Sequence, residues 1–166
     1  MKKEDEQVNE YGVLLESNGR YALRFERFLH QNPEDVFLVI TKPSSFAQWY
    51  PFATGEMDLR IGGRIAFDDG EGTTYEGTIT ELEKPYVFGF REVDDLINIS
   101  LQKEDKGCRM IFTHTFNDDS WAVNTAAGWH RCLDVLVQII NGKPIQWHDN
   151  SIELRKIYSE AFNIER

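Results

Sequence analysis

Apolar and polar residues alternate with a period of two along residues 21–29 (YALRFERFL). Tyr21, Leu23 and Phe25 share one side of this segment, and alternation of this length predicts a β-strand. The first ten residues are nearly all polar, and we expect residues 1–18 to form a flexible acidic N-terminal tail. We expect residues 19–166 to form a single domain, because a chain of 166 residues suits one domain.

Helical spacing of apolar residues replaces this alternation in the next segment. Asn32 can cap a first short helix, and Pro43 predicts that this helix ends near Lys42. The following stretch, SSFAQWYPF, predicts a second short helix that Pro51 stops. Two short amphipathic helices are therefore expected directly after the first strand.

Period-two alternation returns over a long stretch that ends at residue 116. It predicts strands within residues 55–69 (a strand pair around Gly62-Gly63), 73–83, 86–93, 96–104 and 108–116. The connections between them are short, and short connections join antiparallel neighbours. The sequence therefore predicts an antiparallel meander of five or six strands.

A long helix is predicted over residues 118–142, where apolar residues recur at steps of three and four. This apolar stripe consists of Ala126, Trp129, Leu133, Leu136, Val137 and Ile140. Gly142 fits the position just after the last helical turn. We expect the helix to bury this stripe against the sheet.

One more short helix is predicted near the C-terminus, in DNSIELRKIYSEAFNI. Asn150 and Glu153 have the spacing of a capping box. The predicted apolar side of this helix consists of Ile157, Tyr158, Ala161 and Phe162. The whole order of elements favours the α+β class, with a curved antiparallel sheet across which the long helix lies. Such an arrangement leaves a wedge between sheet and helix.

Composition and charge exclude several kinds of partner. The net charge is −10, whereas a nucleic-acid binder would show a basic stripe, so we expect no nucleic acid as a partner. The longest apolar runs fall far short of a membrane span. The N-terminus lacks the apolar core of a signal peptide, and two cysteines form no disulfide framework. These features predict a cytoplasmic protein.

The elements in this order resemble a known family. The segments that carry the resemblance are NPEDVFLVITKPSSFAQWYPF, GGRIAF, YEGTITELEKPYVFGF and GWHRCLDVLVQIING. They are similar to the activator of heat-shock protein 90 ATPase homologue-like branch of the START-like (SRPBCC) superfamily, over about residues 20–162. The resemblance implies the helix-grip (START/Bet v 1-like) fold, a curved antiparallel sheet wrapped around a long C-terminal helix.

Some positions of this chain match the sequence pattern of that family, and one departs from it. Its first helix usually carries Trp where this chain has Phe37, whereas Trp49 matches the aromatic residue of its second helix. Residues 128–136 match its Gly-Trp followed by Leu in the long helix. The family shares no catalytic triad or metal motif, so the resemblance implies no catalytic residue, metal or cofactor.

The segment GWHRCLDVL (128–136) concentrates side chains that bind metals or react covalently. His130 and Cys132 are two residues apart and point away from each other on a helix. Zinc sites need three or four convergent ligands, so we expect no metal here, although His130 and Asp134 have the spacing of a pair. We expect Cys132 to be a small buried hydrophobe, because a catalytic thiol needs a lowered pKa.

Helical geometry divides this segment between two sides of the long helix. Trp129, Cys132, Leu133 and Leu136 are expected to face inward. His130, Arg131 and Asp134 are expected on the flanks and the outer surface. We interpret Gly128 as a residue that lets the helix approach the sheet closely.

His114 is the histidine with the most informative position. It alternates with Met110, Phe112 and Phe116, so it should face inward with these apolar residues. Two interpretations stay open. His114 is either a hydrogen-bonded core residue or a polar group that orients a ligand in an apolar cavity.

Aromatic residues from the second helix, the inner face of the sheet and the long helix should converge in a helix-grip fold. The predicted ligand-binding residues are Trp49, Tyr75, Phe112, His114, Trp129 and Leu133. Gly77, in a strand interior, suggests a bend or a close backbone approach.

Three functions follow from these patterns. The first is binding of a small hydrophobic or aromatic molecule, such as a lipid, polyketide or flavonoid-like compound, between sheet and long helix. The second is a co-chaperone-like module with a chaperone as partner, which the resemblance implies for its family. The third is an enzyme like the cyclases and hydrolases of the superfamily, with His114 as acid or base. Glu76, Glu81 or Arg91 could replace His114 only if they turned inward.

Overall fold

The computed structural model describes residues 9–163 as an eight-stranded antiparallel sheet with four α-helices. The strands are β1 (Val13–Ser17), β2 (Arg20–Leu29), β3 (Ala53–Met57), β4 (Arg64–Asp68), β5 (Thr74–Glu83), β6 (Val87–Glu92), β7 (Asp95–Glu104) and β8 (Gly107–Phe116). The helices are α1 (Pro33–Thr41), α2 (Pro43–Trp49), α3 (Ala122–Ile140) and α4 (Ser151–Phe162). A 3-10 turn, Asp119–Trp121, precedes α3. No helix within these residues is both long and apolar enough to cross a membrane.

The strand order, β1-β2-β8-β7-β6-β5-β4-β3, confirms the predicted meander and the α+β helix-grip class. Strands β3 to β8 follow one another, while β2 pairs with β8, the last strand in the chain. Helices α1 and α2 connect β2 to β3 at the far edge, so both helices lie across one end of the curved sheet.

Strand β1 corrects the predicted limits of the N-terminal tail. Val13–Ser17 pairs with β2, from Val13 beside Arg24 to Ser17 beside Arg20. The strand lies at the sheet edge and most of its side chains are exposed, so its sequence lacks the alternation that marks a half-buried strand. Residues 1–8 lie outside the described residues.

The predicted cap is confirmed at α1, whereas at α4 the predicted cap residue, Asn150, directly precedes the helix but lacks the capping hydrogen bond. The Asn32 side chain accepts a hydrogen bond of 2.8 Å from the Asp35 amide, as predicted for a cap. Asn150 makes no such bond, because its backbone has φ −125° and ψ 21° rather than the extended geometry of a capping residue. Helix α4 buries Leu154 and Tyr158, whereas Ile157, assigned above to its apolar side, is exposed.

Helix α3 is buried on two sides. The predicted inward residues Trp129, Cys132, Leu133 and Leu136 are all buried. His130 is also buried, which corrects its expected place on the outer surface, because α4 packs against that side of α3. Gly128 is exposed and a Cβ there would meet nothing within 4 Å, so it makes no close approach to the sheet.

Gly77 fulfils the role predicted for it. A Cβ at this position would lie 2.8 Å from the Arg91 carbonyl oxygen and 3.1 Å from the Phe67 ring. The register of β5 with β6 shifts nearby, between Ile79 and Glu81. The sheet therefore needs glycine where β5 approaches its neighbours.

A buried polar network joins α3, α4 and the start of the chain. The Gly12 amide donates to the Tyr158 hydroxyl (2.9 Å), and this hydroxyl lies within hydrogen-bond distance of Nδ1 of His130 (2.7 Å). On the other side of the ring, Nε2 of His130 faces Asp134 Oδ2 at 3.7 Å. Burial lowers the pKa of His130 below its ordinary value of 6.5.

The first prediction concerns the pH dependence of stability. Because the folded-state pKa of His130 is depressed, the unfolded chain binds a proton more readily, and the free energy of unfolding decreases as pH falls below 6.5. We expect His130→Gln to flatten this dependence in urea denaturation between about pH 7.5 and about pH 5.5. His30→Gln, at an exposed histidine, is the control. Equal slopes for His130→Gln and the native chain would contradict the assignment.

Candidate functional site

A surface pocket of about 360 Å³ opens at one end of the wedge between sheet and long helix. We call it the Glu92 pocket. Its lining residues are Tyr50, Pro51, Phe52, Tyr75, Glu92, Val93, Asp94, Asp95, His114 and Trp129. They come from the end of α2, from β5, β8 and α3, and from the hairpin between β6 and β7. The rest of the wedge is filled by buried apolar side chains.

Strand β6 places an acidic side chain on the inner face of the sheet. Phe88 and Phe90 point inward and are fully buried. Glu92 is two residues further along the same strand, so the alternation also turns it inward. It ends the strand at the rim of the pocket, where its carboxylate is partly buried.

Two tyrosines hold the Glu92 carboxylate. The Tyr50 hydroxyl donates to Oε1, and the Tyr75 hydroxyl donates to Oε2 at 2.8 Å. Burial raises the pKa of Glu92 above its ordinary value, while the two hydroxyl donors oppose this shift. The pKa of each tyrosine is raised, by burial first and by the neighbouring carboxylate. Both tyrosines therefore remain protonated donors.

A second chain of hydrogen bonds crosses the back of the pocket. The Trp129 indole Nε1–H donates to His114 Nδ1 at 2.9 Å, and His114 Nε2 lies 2.8 Å from Asp95 Oδ2. Since Nδ1 accepts, the His114 proton is on Nε2 and is donated to Asp95. His114 is thus both a hydrogen-bonded buried residue and part of the pocket wall, which combines the two interpretations left open by the sequence.

The rim of the pocket carries strained backbone. Phe52 and Val93 have positive φ angles of 65° and 57°, a region that L residues other than Asn and Asp rarely adopt and that is least favourable for β-branched side chains. Their side chains are 53% and 68% exposed. Strain of this kind concentrates at binding sites, and here it places two apolar side chains at the entrance.

Three of the six predicted ligand-binding residues line the pocket and three do not. Tyr75, His114 and Trp129 lie on its wall. Phe112 and Leu133 are fully buried beneath it, with the Phe112 ring 4.8 Å from that of Trp129. Trp49 is 1% exposed and packs on Phe46 and Tyr50.

Sequence reasoning missed Glu92, Tyr50 and Asp95 as site residues. The signal for Glu92 was present, because it continues the alternation of Phe88 and Phe90. Tyr50 follows directly after α2, and its orientation depends on how that helix ends. Glu76, Glu81 and Arg91 are all exposed on the opposite face of the sheet. They do not turn inward, which was the condition for a catalytic role.

The reactive-looking residues of α3 lie on different sides of the helix, with Cys132 on its inward side and His130 on the side that faces α4. Within residues 9–163, no group of three side chains could hold a metal ion. Burial raises the pKa of the Cys132 thiol to about 12, so the thiol stays protonated at neutral pH. His130 and Asp134 do pair, as their spacing indicated, but on the α4 side of the helix.

Comparisons with known proteins identify relatives of this fold. The family model described as Activator of Hsp90 ATPase homolog 1-like protein matches residues 30–141. The protein EF2215 from Enterococcus faecalis, of unknown function, has a TM-score of 0.80 and 17% identity, covering 93% of this chain and 92% of that one. CalU16 from Micromonospora echinospora has a TM-score of 0.69 and 20% identity, covering 87% of each chain. An AHSA1-like protein from Aeromonas hydrophila has a TM-score of 0.63 and 21% identity, covering 73% and 92%. No curated protein matches this chain.

The second prediction tests how the tyrosines control Glu92. Tyr75→Phe removes a donor that favours the charged carboxylate, so we expect the pKa of Glu92 to rise further above its ordinary value. Carbon-13 NMR titration of the Glu92 side-chain carboxyl measures this change. Tyr86→Phe, at an exposed tyrosine outside the pocket, should leave it unchanged. A lower Glu92 pKa in Tyr75→Phe would show that the hydroxyl does not stabilise the carboxylate.

Proposed function

The chain belongs to the Activator of Hsp90 ATPase homolog 1-like family, and from that premise we propose that it binds a small aromatic or apolar molecule in the Glu92 pocket. The observation that supports this proposal is an open pocket with aromatic walls at the end of an otherwise packed wedge. Tyr50, Tyr75 and Trp129 supply those walls. The site combines apolar surface with a few fixed polar groups, as small-molecule sites do.

The volume of the pocket sets the size of the ligand. About 360 Å³ is at the lower end of the range for drug-sized ligands, ~300–1,000 Å³. A single ring or a fused two-ring compound suits such a space better than a long lipid chain. Apolar contact would contribute ~25 cal/mol per Å² removed from water, and the polar groups would orient the molecule.

Fixed polar groups distinguish this pocket from a simple apolar cleft. Glu92 is held by two hydroxyls, and His114 is held between an indole and a carboxylate. Each carboxylate oxygen has a second lone pair that can accept a bond from a ligand. Rigid acceptors of this kind select among ligands, because a ligand without a matching donor leaves them unpaired.

A second candidate function is acid–base catalysis by Glu92. The specific observation is a carboxyl group with a raised pKa inside a pocket, a combination that is frequent at catalytic sites. Turnover of a bound compound would support this candidate over simple binding. The chaperone alternative rests on the family description and the net charge, and stays a prediction from the sequence.

We also propose a cytoplasmic location. Cys108 and Cys132 are free and buried, which fits a compartment that keeps thiols reduced.

The third prediction tests ligand binding in the pocket. Native mass spectrometry of the purified protein should detect a co-purified small molecule, and aromatic compounds of one ring or two fused rings should change the tryptophan fluorescence saturably. Phe52→Ala should weaken this binding about two- to twelvefold, because an aromatic contact contributes ~0.5–1.5 kcal/mol. Tyr86→Ala, which removes an exposed ring outside the pocket, is the matched control. Equal affinity in both variants, or no bound compound in either assay, would refute the proposal.

A further inference from the structure

We infer that the ligand of the Glu92 pocket is a small organic cation, an amine whose apolar part rests on the aromatic walls. This inference rests on the proposed function and specifies the chemical class of its ligand. The observation behind it is the combination of carboxylates and aromatic rings on one cavity wall.

The charges on the pocket wall have one sign. Of the ten described residues that line it, Glu92, Asp94 and Asp95 carry carboxylates, and none is Lys or Arg. A neighbouring pocket of about 270 Å³ shares Asp94, Asp95 and His114 and adds the exposed ring of Trp121. The acidic wall therefore continues along the surface, and walls of one sign attract ligands of the opposite sign.

Two of these carboxylates, those of Glu92 and Asp95, are held by neutral groups. Glu92 accepts bonds from two tyrosine hydroxyls, which carry no charge. Asp95 accepts a bond from His114, whose Nδ1 is occupied by the Trp129 N–H, so the ring is in its neutral form. The donors fix the positions of the carboxylates without neutralising them. A cationic ligand would supply the missing charge, whereas an anionic one would be repelled.

The aromatic rings suit the same class of ligand. Tyr50, Phe52, Tyr75 and Trp129 lie on the wall, and the Tyr50 and Trp129 ring centroids are 5.1 Å apart. The faces of such rings attract cations, Trp most strongly. They also provide apolar contact for the carbon part of an amine. Carboxylates and rings together therefore recognise both ends of one molecule.

A metal ion fits this site less well than an organic cation. Among residues 9–163, no three metal-ligating side chains converge. Both oxygens of Glu92 already accept hydroxyl hydrogens, so Glu92 offers a metal ion only its remaining lone pairs, without the further ligands that a metal site needs. An ammonium group brings its own N–H donors and can use the second lone pairs of these oxygens.

The fourth prediction uses three probes of similar size that differ in charge: 2-phenylethylamine, 2-phenylethanol and phenylacetate. Binding is followed by the Trp129 indole N–H signal in nitrogen-15 NMR, assigned with Trp129→Phe. We expect the amine to bind about tenfold more tightly than the alcohol at low salt, and phenylacetate to bind most weakly. Raising the salt concentration should reduce the advantage of the amine.

Two variants test whether the preference for the amine comes from the carboxylates of the pocket wall. The double variant Asp94→Asn/Asp95→Asn keeps the side-chain shapes and the acceptor for His114, and should weaken amine binding about tenfold while leaving the alcohol unchanged. Asp105→Asn replaces a carboxylate by an amide in the turn at the other end of β7. It should alter neither the binding of the amine nor that of the alcohol. If the native protein and the double variant each bound the amine and the alcohol equally, the inference of a cationic ligand would be overturned, while the proposed function would stand. If none of the three probes shifts the Trp129 signal, the proposed function fails and the inference falls with it.

Discussion

The hydrogen bond from Trp129 to His114 connects the long helix to the sheet at the point where the wedge opens. Its two atoms are 2.9 Å apart and both side chains are buried. A buried indole N–H left without a partner would cost ~1–3 kcal/mol, so the bond fixes how α3 lies against β8. It also places the His114 proton on Nε2, which then orients Asp95. The back wall of the Glu92 pocket therefore depends on one helix–sheet contact.

The interior around this bond explains why the pocket is small. Phe46, Phe88, Phe90 and Phe112 are nearly or fully buried and fill most of the space that the helix-grip arrangement leaves. The open volume of the Glu92 pocket lies where β6 ends and its alternation turns Glu92 inward. The chain thus uses its aromatic residues mainly as core, and its polar site lies where that core ends.

Much of this arrangement could be predicted from the sequence. Alternation located strands β2 to β8, and three- and four-residue spacing located α3, because both patterns record burial on one side of an element. Edge strand β1 was not predicted, because most of its side chains are exposed and its sequence therefore shows no alternation. His130 was misplaced because its burial comes from α4, a contact between elements that periodicity within α3 cannot show. Among the site residues, the inward orientation of His114 and Trp129 could be predicted from the apolar face of the strand or helix that carries each. The orientation of Tyr50 could not, because it depends on the backbone conformation just after α2.

The tautomer of His114 is the most direct test of this account. Nitrogen-15 NMR of the imidazole ring in the unliganded protein distinguishes a proton on Nε2 from one on Nδ1. The hydrogen bond from Trp129 requires a proton on Nε2 alone, with Nδ1 as the acceptor and the indole N–H signal shifted by that bond. A proton on Nδ1 would contradict it, because the ring could then accept no bond from Trp129.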